Sequence, residues 1–422
     1  MTTTHFSTLI VGGGIGGLST ALALARTGTP VHLVEQAAEF TEIGAGLQIG
    51  PNATRALDRL GLLGELSEIA VHPRSAIVRD GLTGDVLTTL DFGPAFLAHY
   101  GHPYLVAHRS DVLTILLHAC EREPLIVLEN NRTVIEVEER SEHAALIFAD
   151  GDEYTANVLI GADGIKSRVR RLLDTSEPVF SGHIAHRGAI DIAEVETDVA
   201  TEDVVLWMAP GIHLMQYPVR RGELYNQVAV YESPRYAQGR DDWGTKDEFD
   251  EMFAAACEPV RAAITKIDTS RAWPIFDRDP IASWSTPHTV LIGDAAHAML
   301  QYLGQGACQA LEDALILSNT LTAHPNDTAG AFKSFEELRV PLTTKCQTVA
   351  RPWGRTWHTA DPAMLALRNR VFRGRAADDY TDLDWIYADR PDEFTPSTGV
   401  DPTTTTRTVR PIHTHPTGVI TP

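Results

Sequence analysis

A short apolar strand that runs straight into glycines, Leu9-Ile10-Val11-Gly12-Gly13-Gly14-Ile15-Gly16-Gly17, constrains this chain more than any other stretch. Leu18 to Thr27 continues as small and apolar residues suited to a helix, Gly28 supplies the stop, and Val31-His32-Leu33-Val34 reads as a returning strand. The unit is strand, glycine turn, helix, strand. Within it Gly12, Gly14 and Gly17 make the Gly-x-Gly-x-x-Gly pattern, whose positions serve a tight turn, close approach of backbone to a pyrophosphate, and close helix-on-strand packing. Phosphates then face the free N–H groups and dipole of the helix start, so Ile15 and Gly16 join the candidate dinucleotide site. Glu35, ending the second strand beside Gln36, is placed to accept hydrogen bonds from ribose hydroxyls.

At 422 residues the chain exceeds what one core usually supports, which implies two domains or one with a large insertion. Cys120, Cys257, Cys308 and Cys346 stand singly, spaced neither for zinc nor for a redox pair, and fit a reducing, cytoplasmic compartment. A net charge of -21 argues against nucleic acid or an anionic membrane surface as partner. No run of about eighteen apolar residues exists, and the N-terminus is too glycine-rich for a signal peptide, so neither a membrane span nor secretion is expected.

After Glu35 comes a glycine-rich segment, Glu39 to Asn52, expected to be a loop lying against the cofactor, with Gln48 in contact. Asn52 is expected to cap a helix running to about Leu60. Short alternating runs at 76–90 suggest an excursion into a second sheet. The chain returns through Tyr104 to His108 into a helix that starts at Ser110 or Asp111. Arg109, just before it, either contacts the cofactor or pairs with Asp111. Residues 125–160 read as antiparallel strands, ending in a buried strand, an Asp163-Gly164 loop and a helix to Leu173. A carboxylate at the end of such a strand lies where open α/β sheets bind ligands.

Residues 180–275 again read as strands. On Ile212 to Val219 the two-residue period puts His213, Met215 and Tyr217 on one face and Ile212, Leu214 and Gln216 on the other. His213 and Tyr217 are then about 13 Å apart, too far to touch but suited to flanking an aromatic ring. A sheet face with a satisfied histidine is the plainer alternative. Farther on, a strand ends in Gly293-Asp294, and Gly304-Gln305-Gly306 opens a helix from Ala307 whose free N–H groups can stabilise negative charge.

The glycine fingerprint with Glu35, the Asp163-Gly164 loop, and Gly293-Asp294 with Gly304-Gln305-Gly306 occur in one order. Together they make the chain resemble the class A flavoprotein aromatic hydroxylases from residue 8 to about 350. The resemblance implies an α/β fold: a Rossmann-like FAD-binding domain (residues 1–75, 101–178 and 281–345), an inserted antiparallel β-sheet substrate domain (76–100 and 179–280) like that of para-hydroxybenzoate hydroxylase, and a helical C-terminal region with a Pro/Thr-rich tail (346–422). By composition the tail should be disordered.

The resemblance also implies non-covalent FAD, with Gly12, Gly14, Gly17 and Glu35 on its ADP half, Arg109 and Asp294 on the pyrophosphate and ribityl chain, and the Asp163-Gly164 loop nearby. NADH and O2 would be co-substrates, the substrate a small aromatic acid, and the enzyme a homodimer. Glu42 to Leu60, Gly182 to Gly188, and the trio His213, Tyr217 and Gln301 look most like the branch that converts 3-hydroxybenzoate to gentisate by para-hydroxylation through a flavin hydroperoxide. Salicylate conversion to catechol is the neighbouring chemistry, and a flavin-dependent reductase or oxidase without oxygen insertion is the competing class. The family usually has proline where this chain has Gln301, and an amide there puts a donor and an acceptor near the site of oxygen transfer. His213 would take the phenol proton, directly or through Tyr217. No arginine is obviously placed for the substrate carboxylate. No second glycine unit is visible either, so the nicotinamide coenzyme would bind transiently.

Overall fold

In the computed structural model, which describes residues 3–41, 46–195 and 200–390, the strand Thr3–Val11 leads through the glycines into the helix Ile15–Arg26 and back along the strand Val31–Val34. Leu9, Ile10, Leu18, Leu22, Leu33 and Val34 are buried together in the main core. A seven-stranded sheet grows around this unit in the order Ile126–Glu129, Val31–Val34, Thr3–Val11, Glu153–Gly161, Ala144–Phe148, Val134–Glu139, with Thr289–Leu291 also paired to Glu153–Gly161. The parallel register aligns Val11 with Gly161 and Gly161 with Leu291. The three loops that follow, at Gly12, Asp163 and Gly293-Asp294, therefore leave from one level of one sheet edge, where parallel sheets bind ligands.

A second seven-stranded sheet runs Trp273–Asp277, Val179–Asp191, Leu224–Glu232, Ile212–Val219, Val204–Ala209, Ser75–Asp80, Val86–Asp91. The excursion at 76–90 thus supplies two of its strands. Ile212, Leu214, Ala229 and Tyr231 pack under the helices Lys246–Phe253 and Glu258–Ile264. That covering leaves the opposite side of Ile212–Val219 for other work.

The helix Thr328–His358 ties the two sheets together. Its Phe332 and Phe335 enter the main core, while Ala350 and Trp357 pack against Leu206 and Met208 of the second sheet. The boundary expected at residue 345 falls inside this helix. Among the described residues no helix is long and apolar enough to cross a membrane.

Several local expectations are corrected. The glycine-rich segment is not all loop, because Gly46–Ile49 pairs antiparallel with Leu105–His108, a partner that local composition cannot announce. The next helix is Pro51–Arg59 with Gly50 at its N-cap. Proline favours the first helical position, so the cap falls two residues earlier than Asn52, and Asn52 turns inward. Ile126–Glu129 pairs parallel, not antiparallel, with Val31–Val34. The segment after Asp163 makes only a 3-10 turn, Val169–Leu172. Arg109 is the first residue of its helix, and Asp111 pairs with Arg220 rather than with Arg109. The start of the Glu42 to Leu60 segment and the Pro/Thr-rich tail lie outside the described residues.

Candidate active site

A cavity of about 370 Å³ opens where the ligand-binding edge of the first sheet faces the second sheet. Its first-sheet side is built by Gly14, Ile15, Gly16, Gln48, Arg109, Gly164, Asp294, Gly304, Gly306 and Ala307. His213, Met215 and Tyr217 line it from the second sheet, and Gln301 and Trp357 complete the wall. The alternation expected for Ile212–Val219 is what the fold uses. On the other face Gln216 accepts from Trp207 Nε1 (2.9 Å) and donates to Gln227 (2.9 Å).

The remaining singled-out residues shape the site from behind. Gly12 has φ +110°, and a Cβ there would sit 2.3 Å from the Ala162 carbonyl oxygen. A Cβ at Gly17 would sit 1.9 Å from the Gly12 oxygen, so helix and strand touch through bare backbone. Glu35 accepts the N–H groups of Gly13 (2.7 Å) and Ala37 (2.9 Å), pinning the glycine turn to the strand end. Gln36 is exposed beyond it. The Asp163 carboxylate is turned into its own loop, accepting from Ser167 Oγ (2.5 Å) and Arg168 N (2.7 Å), so only Gly164 of that pair reaches the cavity.

These features fit FAD. A Cβ at Gly14 would meet nothing within 4 Å, which leaves backbone open toward the cavity. The helix Gly306–Ala323 presents its N-terminus there, with Gln305 as N-cap. Its position is fixed by a buried network absent from the sequence expectations. Asp313 accepts from Gly293 N (2.9 Å), His297 Nε2 (2.6 Å) and Arg339 Nε (2.7 Å). Burial opposes ionisation of Asp313, but His297 and Arg339 outweigh it and bring its pKa down to about 2. Asn52 extends the network by donating to Gln305 (3.0 Å) and Glu312 (3.3 Å).

On the far side, burial lowers the His213 pKa to about 3, with His183 adding to the effect. The ring is neutral at working pH. Its Nδ1 lies 2.6 Å from His358 Nε2, which leaves Nε2 for a ligand. Burial also raises the Tyr217 pKa, opposed first by Arg187 and then by Arg109, so this phenol remains protonated. Arg187 and Arg109 both line the cavity. Arg187 also stacks on Trp273 at 4.1 Å; it lies in the run Gly182 to Gly188, and sequence reasoning did not single it out. One cavity thus joins a cofactor-shaped backbone edge to neutral hydrogen-bonding groups, two guanidinium groups and the apolar walls of Met215, Val228 and Trp357.

The FAD binding domain family matches residues 5–346, and the chain belongs to this family as a class A FAD-dependent aromatic monooxygenase. It is 36% identical over 380 residues to the 3-hydroxybenzoate 6-hydroxylase of Klebsiella oxytoca, covering 90% of this chain and 96% of that one. It is 35% identical over 393 residues to 3-amino-4-hydroxybenzoate 2-monooxygenase PtnB3 of Streptomyces platensis, covering 91% and 97%. Among solved structures, a salicylate hydroxylase substrate complex superposes with a TM-score of 0.76 at 25% identity, covering 94% of this chain and all of that one.

Proposed function

We propose that this enzyme hydroxylates 3-hydroxybenzoate para to its hydroxyl group, giving gentisate, with NADH as electron donor. The observation that carries the reading is the cavity itself: His213, Tyr217 and Gln301 share it with the FAD edge and with Arg187 and Arg109. The relative named for the same reaction supports it, covering nearly the whole chain. When bound, FAD supplies the electrons and the activated oxygen. Gly14, Ile15, Gly16, Gln48, Arg109, Asp294, Gly304, Gly306 and Ala307 would hold it, while Gly12, Gly17, Glu35, Gln36 and the Asp163-Gly164 loop shape the surrounding turns.

The chain's own work is to orient and activate the ring. Arg187 offers a planar two-point donor to the carboxylate. Neutral His213 accepts the phenol proton at Nε2, and the phenolate pushes electron density to the ortho and para positions. Tyr217, kept protonated, donates to a substrate oxygen. The Gln301 amide holds the ring or the activated oxygen in place, and Trp357 and Met215 exclude water. We further propose a cytoplasmic homodimer, in keeping with the single, unpaired cysteines and the family resemblance.

Chromatography of aerobic turnover mixtures tests the substrate. Gentisate from 3-hydroxybenzoate is expected, whereas catechol from salicylate with no gentisate would reassign the pocket.

A further inference from the structure

His213 is buried on every side except the cavity, yet deprotonating a phenol requires the proton to go somewhere. The ring that receives it cannot stay charged in this setting, because burial disfavours an imidazolium. His358 provides the continuation. It ends the helix Thr328–His358, is held through its carbonyl by the Gly211 N–H (2.9 Å), and places Nε2 2.6 Å from His213 Nδ1. His358 does not line the active-site cavity. It lines a second cavity of about 820 Å³, bordered by the exposed residues Glu232 and Arg355 and therefore open to solvent. Its Nδ1 is buried from bulk solvent and has no hydrogen-bond partner among the described residues, so a water entering from the second cavity is the partner it would take.

We propose that the His213–His358 pair is a proton relay through the wall between the two cavities, with His358 a positioning residue that acts through His213. The inference rests on the phenolic substrate assigned above. As the phenol O–H breaks, its proton joins His213 Nε2. The His213 Nδ1–H passes to His358 Nε2, and the His358 Nδ1–H leaves to water in the second cavity. Each ring gains one proton and loses one, so both end neutral with their tautomers exchanged, and the net change is phenolate inside and a proton in solvent. Return of the tautomers after product release resets the pair. The titratable and charged groups around His358 are His183 (ring centroids 4.6 Å apart), Tyr302, Arg368, Glu232 and Arg355. Burial above all, and then His213, His183 and Arg368, disfavour a resident charge on His358, which suits transfer through the ring rather than storage on it.

The test uses FAD-loaded enzyme with bound 3-hydroxybenzoate and no NADH. After a rapid upward pH jump, ultraviolet absorbance follows ionisation of the bound phenol. His358→Ala should slow that ionisation at least about tenfold, as expected for losing a proton-transfer partner. The substrate Kd should stay within about threefold. Imidazole, small enough to enter the second cavity, should restore the rate in proportion to its concentration. His358→Gln, which keeps a hydrogen bond to His213 but cannot relay, should be equally slow and not rescued. Ionisation at the wild-type rate in either variant would overturn the relay. So would slow ionisation that imidazole leaves unchanged while Kd weakens in the same proportion, the mark of a structural role. Because ionisation is read without turnover, absence of gentisate from the wild type overturns the assigned reaction and is distinguishable from failure of the relay.

Discussion

Gly46→Ala probes how the substrate wall is held. A Cβ at Gly46 would lie 2.2 Å from Tyr217 Cε2 and 2.7 Å from its hydroxyl oxygen. Gly46 cannot retreat, since its N–H donates to Asn226 Oδ1 (2.7 Å) and its strand is paired at His108. The Tyr217 ring must move, and carbon atoms pack at about 3.5–4.0 Å, so the shift is about 1.5 Å. Tyr217 is only 3% exposed and its back is packed in a core with Val106 and Val219, which leaves the active-site cavity as the direction of escape. Overpacking of this kind costs about 1–3 kcal/mol, or roughly 5–150-fold in substrate binding. Titration of the FAD-loaded enzyme with 3-hydroxybenzoate should show that loss, and the fraction of NADH oxidation yielding gentisate should fall, with FAD content unchanged. Gly46→Ala combined with Tyr217→Ala should recover binding relative to the sum of the single changes. A Kd and coupling within twofold of wild type for Gly46→Ala would refute the packing that fixes Tyr217.

Three further outcomes are expected. His213→Ala should slow hydroxylation by about 10²-fold or more in single-turnover kinetics while leaving flavin reduction nearly untouched, and equal slowing of both steps would remove its role as proton acceptor. Arg187→Met should weaken 3-hydroxybenzoate by about 10–100-fold, as for a lost charged hydrogen bond, but hardly affect 3-hydroxybenzamide; equal weakening of both ligands would place the carboxylate elsewhere. Asp313 has its folded pKa depressed to about 2, so its ionised form contributes stability above pH about 4 that is lost as pH falls towards 2. The contribution is about 2 kcal/mol, and thermal melts of wild type and Asp313→Asn should converge over that window; a difference independent of pH would contradict it.

The features legible in the sequence share one property: their geometry is set within a few residues. The turn Gly12 to Gly17, the acid at the end of the second strand and the alternation along Ile212–Val219 follow from local sterics and a two-residue period. What escaped depends on distant partners. Gly46–Ile49 becomes a strand only because Leu105–His108 lies beside it. Arg187 sits in the visible run Gly182 to Gly188, but its use follows from where the sheet places Val179–Asp191 relative to the cavity. The Asp313–His297–Arg339 network joins residues on three segments, none with a pattern of its own. The face of the strand that carries His213 was legible, but its depressed pKa and its partner His358 depend on packing by the helix Thr328–His358.

Aerobic turnover of 3-hydroxybenzoate with NADH under 18O2, followed by mass spectrometry of the product, tests the central claim most directly. The structure and its relatives predict gentisate carrying one labelled oxygen at the position para to the original hydroxyl. NADH consumption that yields only hydrogen peroxide, or a product without label, would contradict the assignment of this cavity as a 3-hydroxybenzoate monooxygenase site.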